Sequence, residues 1–234
     1  MTKYLITPSL LNSYQYYIQD EFKSPADSRA DFLKTLSREK FEPNKAMQKG
    51  IDFENDIKFY CDFGVFRGMG KTIDITELDT RDDYEKHIFY KKPIVKHNSP
   101  EFEIDYIIKD IGNIVKGGLW QESVKKELKI GNTEFLLYGK IDVLKRDTIY
   151  DIKFTSNYEL GKFMDSSQHR IYLYCLGLPK FQYLISDGKE YWTEDYHNHE
   201  GIEDELKGMI SDFMEYLEND KEAKEMFLIK WESK

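Results

Sequence analysis

The sequence predicts one mixed domain of the α/β class, in its α+β form. Three observations carry that expectation. Apolar residues recur at helical spacing near the start and again over residues 202–217. Between residues 119 and 154 the pattern changes to β-branched and aromatic runs broken by polar turns. One helical stretch then separates those strands from a last hairpin, so helices and strands mix rather than alternate strictly. With 234 residues, the chain is long enough to bury a substantial core in a single domain, 1–234.

The elements follow in order. Thr7 before Pro8 is an N-cap with proline at the first helical position, opening a helix to about Ile18. "SPADSRADFLKTLSREKF" is a second, charge-rich helix, and Asn44 caps a third that runs to about Tyr60. Residues 62–98 are ambiguous. "DFGVFRGMGKT" has spaced glycines but lacks the lysine and hydroxyl residue that end a phosphate loop, so it reads as a plain loop. Ser99 and Pro100 then open a helix with Ile104, Ile107, Ile108 and Ile111 on one stripe. "LWQESVKKEL", "EFLLYGKIDVL" and "TIYDIKF" read as three consecutive antiparallel strands. "DSSQHRIYLYCLG" is a helix with Asp165 as its cap and Gly177 at its end. A hairpin turns at Asp187-Gly188. The C-terminal region, 200–234, begins with a helix whose stripe is Ile202, Leu206, Met209, Ile210, Phe213 and Leu217.

Composition narrows the function classes. Hydrophobic residues make up 40% and charged residues 33%, which is a folding composition. The net charge of −9 argues against a protein that simply coats DNA, although a local basic groove is compatible with it. The 17 tyrosines and 15 phenylalanines suit wet grooves as well as cores. Two cysteines, far apart and in no metal spacing, fit a reduced cytoplasmic setting. No leader pattern and no run of about 18 apolar residues is visible, so no membrane partner is expected.

"YGKIDVLKRDTIYDIK" holds the most informative chemistry. If a four-residue loop spans Lys145 to Thr148, Leu144 faces Ile149, Asp142 faces Asp151 and Lys140 faces Lys153. Ile141, Val143, Tyr150, Ile152 and Phe154 then form the apolar, core-facing side. Directly opposed residues place their Cβ atoms ~4.5–5.5 Å apart, so two aspartates repel unless a cation lies between them. Two readings stand: a shared Mg²⁺, or solvated aspartates paired with Lys140 and Lys153. Glu54 falls inside an apolar arc of the third helix, formed by Ala46, Met47, Gly50, Ile51, Phe53, Ile57, Tyr60 and Cys61. A carboxylate there needs a partner, either a lysine or a metal ion. Gln168 and Tyr172, at i and i+4, share one face of the helix after the strands. Taken alone, they read as a core ring and a satisfied surface amide.

The ordered set resembles the PD-(D/E)XK nuclease superfamily, in its RecB-like and phage exonuclease-like branch. "GKIDVL", "IYDIKF" and "QHRIY" are similar to the second, third and helical motifs. "GIDFE" resembles the first-motif helix, and "TPSLLNSY" the helix that opens many such domains. The resemblance covers about residues 44–186. Glu54 is more like the phage exonuclease pattern than the histidine of many RecB-like members. Phe154 stands between Lys153 and Thr155, where the family commonly has the threonine directly. The four cysteines of the iron–sulfur members are missing, so no such cluster is expected.

The resemblance implies a restriction-endonuclease-like core, a mixed central sheet with a mainly antiparallel meander flanked by helices, with 62–116 as a possible insertion. It implies a Mg²⁺- or Mn²⁺-dependent deoxyribonuclease, more an exonuclease than an endonuclease, in recombination, repair or phage DNA processing. Glu54, Asp142, Asp151 and the carbonyl of Ile152 would hold the metal. Lys153 would serve the attacking water and the phosphate, and Gln168 and Tyr172 would hold Lys153 and the substrate in place. Lys140, Lys145, Arg146, Lys162 and Arg170 could line a phosphate track, or form ordinary surface, with DNA as partner and a recombination or helicase protein by analogy. His169 is expected at the surface or against DNA. A catalytically silent nuclease-like module that binds DNA or protein is the alternative. An acidic DNA mimic fits less well, because acids and bases alternate through most of the chain.

Overall fold

The computed structural model describes residues 3–19, 23–40, 42–66 and 100–233. In chain order these form β1 (Lys3–Ile6), α1 (Pro8–Gln19), α2 (Pro25–Leu36), α3 (Lys45–Phe63) and α4 (Pro100–Val115). There follow β2 (Leu119–Trp120), β3 (Ser123–Ile130), β4 (Thr133–Lys140), β5 (Val143–Lys145), β6 (Thr148–Phe154) and α5 (Ser167–Leu176). The chain continues through β7 (Lys180–Ser186), β8 (Tyr191–His197), α6 (Ile202–Asn219), α7 (Lys221–Lys230) and β9 (Glu232–Ser233). The mixed α/β class is therefore as expected. Ser99, and most of the ambiguous stretch before it, lie outside the described residues.

Local chemistry fixes the helix ends. Thr7 Oγ1 accepts the Leu10 N–H at 3.2 Å, Ser24 Oγ that of Asp27, and Asn44 Oδ1 those of Ala46 and Met47. The cap of α5 is Ser166, whose hydroxyl accepts the Gln168 N–H, and not Asp165. Gly177 ends that helix in the left-handed region at φ 65°.

The strands form a sheet ordered β3-β4-β1-β9 and another ordered β2-β5-β6-β7-β8. The expected antiparallel strands are present, but the first two are each bent into two pieces. Ser123 pairs with Lys140 and Trp120 with Val143, so one hairpin crosses from sheet to sheet without a change of register. Across the break Ile141 N–H donates to the Glu122 carbonyl (3.0 Å) and Gln121 N–H to the Asp142 carbonyl (2.9 Å). The β6–β7 pair is parallel, joined through α5, and β1 runs parallel to β4, so both sheets are mixed.

Apolar clusters lie on both faces of the second sheet. Val143, Ile152 and Leu184 pack with Phe53 and Ile57 of α3 and with Ile104, Ile107, Ile108 and Ile111 of α4. Ile149, Phe181 and Ile185 pack with Ile171, Tyr172 and Leu173 of α5, and that cluster extends to α1 and α6. Two expectations change here. Ile141 belongs to the α5 cluster and not with Val143, because the strand bends between them. The apolar arc of α3 is buried only from Phe53 onward, and Met47 and Ile51 are 49% and 43% exposed.

Candidate functional site

The β5–β6 register is the expected one, with Leu144 opposite Ile149 and Val143 opposite Tyr150. The ladder stops at Val143, so the expected pairs Asp142–Asp151 and Lys140–Lys153 do not form: the strand bends there, and Lys140 pairs with Ser123 in the first sheet. Beyond it the Asp142 side chain takes over, and its Oδ2 accepts the Ile152 N–H at 2.9 Å. Asp151 is 2% exposed. The reading of two solvated aspartates on an open sheet face is thereby overturned, because α5 covers that face. Asp151 Oδ1 accepts a hydrogen bond from the Gln168 amide. Asp151 Oδ2 forms a close ion pair with the Lys153 ammonium, 2.6 Å from Nζ. The Lys153 ammonium also stands 5.8 Å from the centre of the Tyr183 ring.

Glu54, half-buried on α3, is held by an amide and not by a lysine. Its Oε1 accepts the Gln121 side-chain N–H at 2.5 Å. Gln121 marks the bend between β2 and β3 and holds φ at 58°, a region that favours glycine. The second member of the Gln168–Tyr172 pair also faces this region: Tyr172 is 3% exposed and its hydroxyl donates to the Lys140 carbonyl at 2.9 Å. Gly139 makes room for that ring, since a Cβ there would stand 2.2 Å from Tyr172 Cε1.

Charge is concentrated here. Burial raises the Asp142 pKa well above the ordinary 3.8, the Asp151 charge adds to it, and Lys153 and the Ile152 N–H oppose it. Burial and then Asp151 likewise raise Glu54, against the pull of the Gln121 amide. Burial disfavours the Lys153 charge, yet Asp151 and Asp142 outweigh it and raise that pKa. Three carboxyl groups thus act on one another around one ammonium. As they stand, no three acidic, histidine or cysteine side chains among the described residues are close enough to hold a metal ion. The donor set nevertheless fits a hard divalent cation: the oxygens on offer are carboxylates, and among the described residues the buried Asp151 Oδ2 is met only by the Lys153 ammonium.

The basic residues separate. Lys140 is exposed beside the site, and its charge acts on Glu54. Lys162 donates to Thr155 Oγ1 (2.8 Å) and the Asn157 carbonyl (2.6 Å). Arg170 is engaged by Glu205 (2.7 Å) and by the carbonyls of Met164 and Ser166. Arg146 is exposed at the far turn of the β5–β6 hairpin, and the neighbouring Lys145 Nζ donates to the Ile114 carbonyl. His169 is not at the surface. It is 4% exposed, stacked on Tyr196 at 3.8 Å between ring centres, and burial lowers its pKa to about 3.

Sequence reading missed two residues. Gln121 gave no periodic signal, because its place depends on a bend. Glu194 did give one, standing between Trp192 and Tyr196 on one side of a strand. It is buried and accepts from Tyr158 Oη (2.7 Å), Tyr196 Oη (2.7 Å) and the Gly161 N–H (2.9 Å). This clamp pins the segment that follows Lys153.

Among the described residues no helix is long and apolar enough to cross a membrane. No protein-family model matches the chain, and no curated protein does. Among solved structures, LHK-Exo in complex with dAMP is similar over 96% of this chain and 93% of its own, with 12% identity and a TM-score of 0.45. SSO0001 is similar over 79% of this chain and 84% of its own, with 11% identity and a TM-score of 0.40.

Proposed function

We propose that this chain is a metal-dependent DNA nuclease of the PD-(D/E)XK type that hydrolyses phosphodiester bonds, acting as an exonuclease in recombination, repair or phage DNA processing. The observation that carries the reading is geometric: Asp151 lies against Lys153, Asp142 takes the Ile152 N–H, Gln121 ties Glu54 to the strand end of Asp142, Gln168 holds Asp151, and Tyr172 holds the adjoining strand end. A helix, a bent hairpin and a following helix supply these groups, in the order the sequence motifs require.

In this reading Asp142, Asp151, Glu54 and the Ile152 carbonyl would hold Mg²⁺ or Mn²⁺. When bound, the ion supplies a Lewis acid for the phosphodiester and lowers the pKa of a water. Lys153 offsets charge building on the attacked phosphate and positions the water. Gln168 fixes Asp151 by taking one of its oxygens. Tyr172 fixes the end of β4 through the Lys140 carbonyl, and Lys140 is the exposed cation best placed for a DNA phosphate. DNA is the substrate, and a recombination or helicase protein would deliver its end.

The test uses purified protein with linear, nicked and circular DNA, with and without Mg²⁺ or Mn²⁺, beside Asp142→Ala and Lys153→Ala. Cleavage that needs the metal and falls by about 100-fold or more in both variants is expected. Dependence on a free end marks the exonuclease. Metal-independent cleavage, an inert wild type, or variants as active as wild type would defeat the reading, and an inert protein that still bound DNA would point to the silent module.

A further inference from the structure

We propose that Gln121 is a positioning residue for the acidic centre: its side-chain amide holds Glu54 while its main-chain N–H holds the strand end that bears Asp142. The proposal rests on the nuclease reading above and adds a residue that none of its motifs contains. Two hydrogen bonds define the role, Nε2 to Glu54 Oε1 at 2.5 Å and N–H to the Asp142 carbonyl at 2.9 Å. One residue therefore ties the helix-borne carboxylate to the strand-borne one.

The backbone supports this assignment. Gln121 is one of three non-glycine residues with positive φ among those described, the others being Arg38 and Arg146. A bend at φ 58° would form more easily with glycine. What glutamine adds is the amide. An amide donates to a carboxylate without cancelling its charge, so it can orient Glu54 and leave the charge available to a cation. A lysine or arginine there would form an ion pair and compete with that cation.

Glu54 also needs a tether. Residues 45–52 of α3 are exposed or half-buried, and burial begins only at Phe53. Glu54 thus lies in the first buried turn of its helix, with little packing upstream to fix it.

The experiment compares the full-length wild type with Gln121→Gly and Gln121→Met. Glycine relaxes the backbone and removes the amide, whereas methionine keeps the bulk without the amide. Mn²⁺ binding to metal-free protein is measured by electron paramagnetic resonance, DNA cleavage as kcat and KM, and folding by Tm. Both variants should bind Mn²⁺ about 10–100-fold more weakly and lose kcat with little change in KM, while the Gln121→Gly variant unfolds at or above the wild-type Tm. Wild-type Mn²⁺ affinity and kcat in both variants would overturn the role of Gln121 and leave the nuclease reading intact. Loss in the glycine variant alone would assign the effect to bulk and overturn it too. A wild type that neither binds Mn²⁺ nor cleaves DNA removes both proposals together.

Discussion

The Gln168 side-chain amide donates a hydrogen bond to Oδ1 of Asp151, seventeen residues earlier and on the neighbouring strand layer. This contact closes the α5 face of the sheet over a carboxylate that is 2% exposed. It leaves Oδ2 facing Lys153, at 2.6 Å.

Gln168→Ala should therefore act on both stability and chemistry. Removing the donor leaves a buried acceptor unsatisfied, a cost of about 1–3 kcal/mol. With Asp151 free to turn, metal-dependent cleavage should fall about 10–100-fold, as is usual when a partner behind a ligand is removed. Denaturant unfolding and single-turnover cleavage measure the two effects separately. Unchanged cleavage in a folded variant would show that Gln168 does not position Asp151.

The parts of this arrangement differ in how legible they were. The register of the hairpin could be read, because alternation and a polar break fix which residues oppose one another. The Gln168–Tyr172 face could be read too, because i and i+4 always share a side. The burial of Asp151 could not. It depends on α5 folding back over strands adjacent in space, and nothing local marks that. His169 was misplaced for the same reason: a histidine between Gln168 and Arg170 looks polar until Tyr196, from a distant strand, stacks on it. The bend at Gln121 divides strands that read as continuous, and a glutamine is not a residue that announces a positive φ.

Gly139 tests the fit behind the site. A Cβ there would meet Tyr172 Cε1 at 2.2 Å and Cζ at 2.9 Å. The ring is buried and held by the Lys140 carbonyl, so it has little room to withdraw. Gly139→Ala should cost about 1–3 kcal/mol by overpacking. The Tm should fall about 2–4 °C for each kcal/mol in a chain of this size. The double variant Gly139→Ala, Tyr172→Phe should not recover, since the clash is with the ring. Tyr172→Leu beside Gly139→Ala should recover part of the loss, and a Tm equal to wild type in Gly139→Ala would refute the packing account.

Rising pH should weaken the metal-free protein through Asp142. Its folded pKa is raised above 3.8 by burial and by Asp151, so folding favours its neutral form. The stability this contributes is complete below the ordinary carboxylate value and is lost as pH rises through the raised one. Glu54 shifts in the same direction from 4.5. Asp142→Asn cannot ionise and escapes its share of the loss. Tm measured in EDTA from pH 4 upward should show the variant gaining on wild type, with the difference levelling once Asp142 has ionised. A pH-independent difference would mean that Asp142 titrates alike in both states.

At acid pH His169 contributes with the opposite sign. Burial, and to a lesser extent the Arg170 charge, depress its pKa from 6.5 to about 3. The unfolded chain therefore binds a proton between those values that the folded chain refuses. Its stabilising contribution is complete above about pH 6.5, declines as pH falls, and is fully lost near pH 3. At about 1.36 kcal/mol per unit, the total is roughly 3–5 kcal/mol. The imidazole Nδ1 has no hydrogen-bond partner among the described residues, and the ring stacks on Tyr196 at 3.8 Å, so His169→Phe keeps the contact that matters and removes only the proton site. Urea unfolding at pH 7.5 should then give similar stabilities for the two proteins. At pH 4 the variant should be the more stable by a few kcal/mol, because every other acid-titrating group is common to both and cancels in the difference. If the two curves stay parallel from pH 7.5 to pH 4, His169 is protonated in the folded protein and its burial against Tyr196 is wrong.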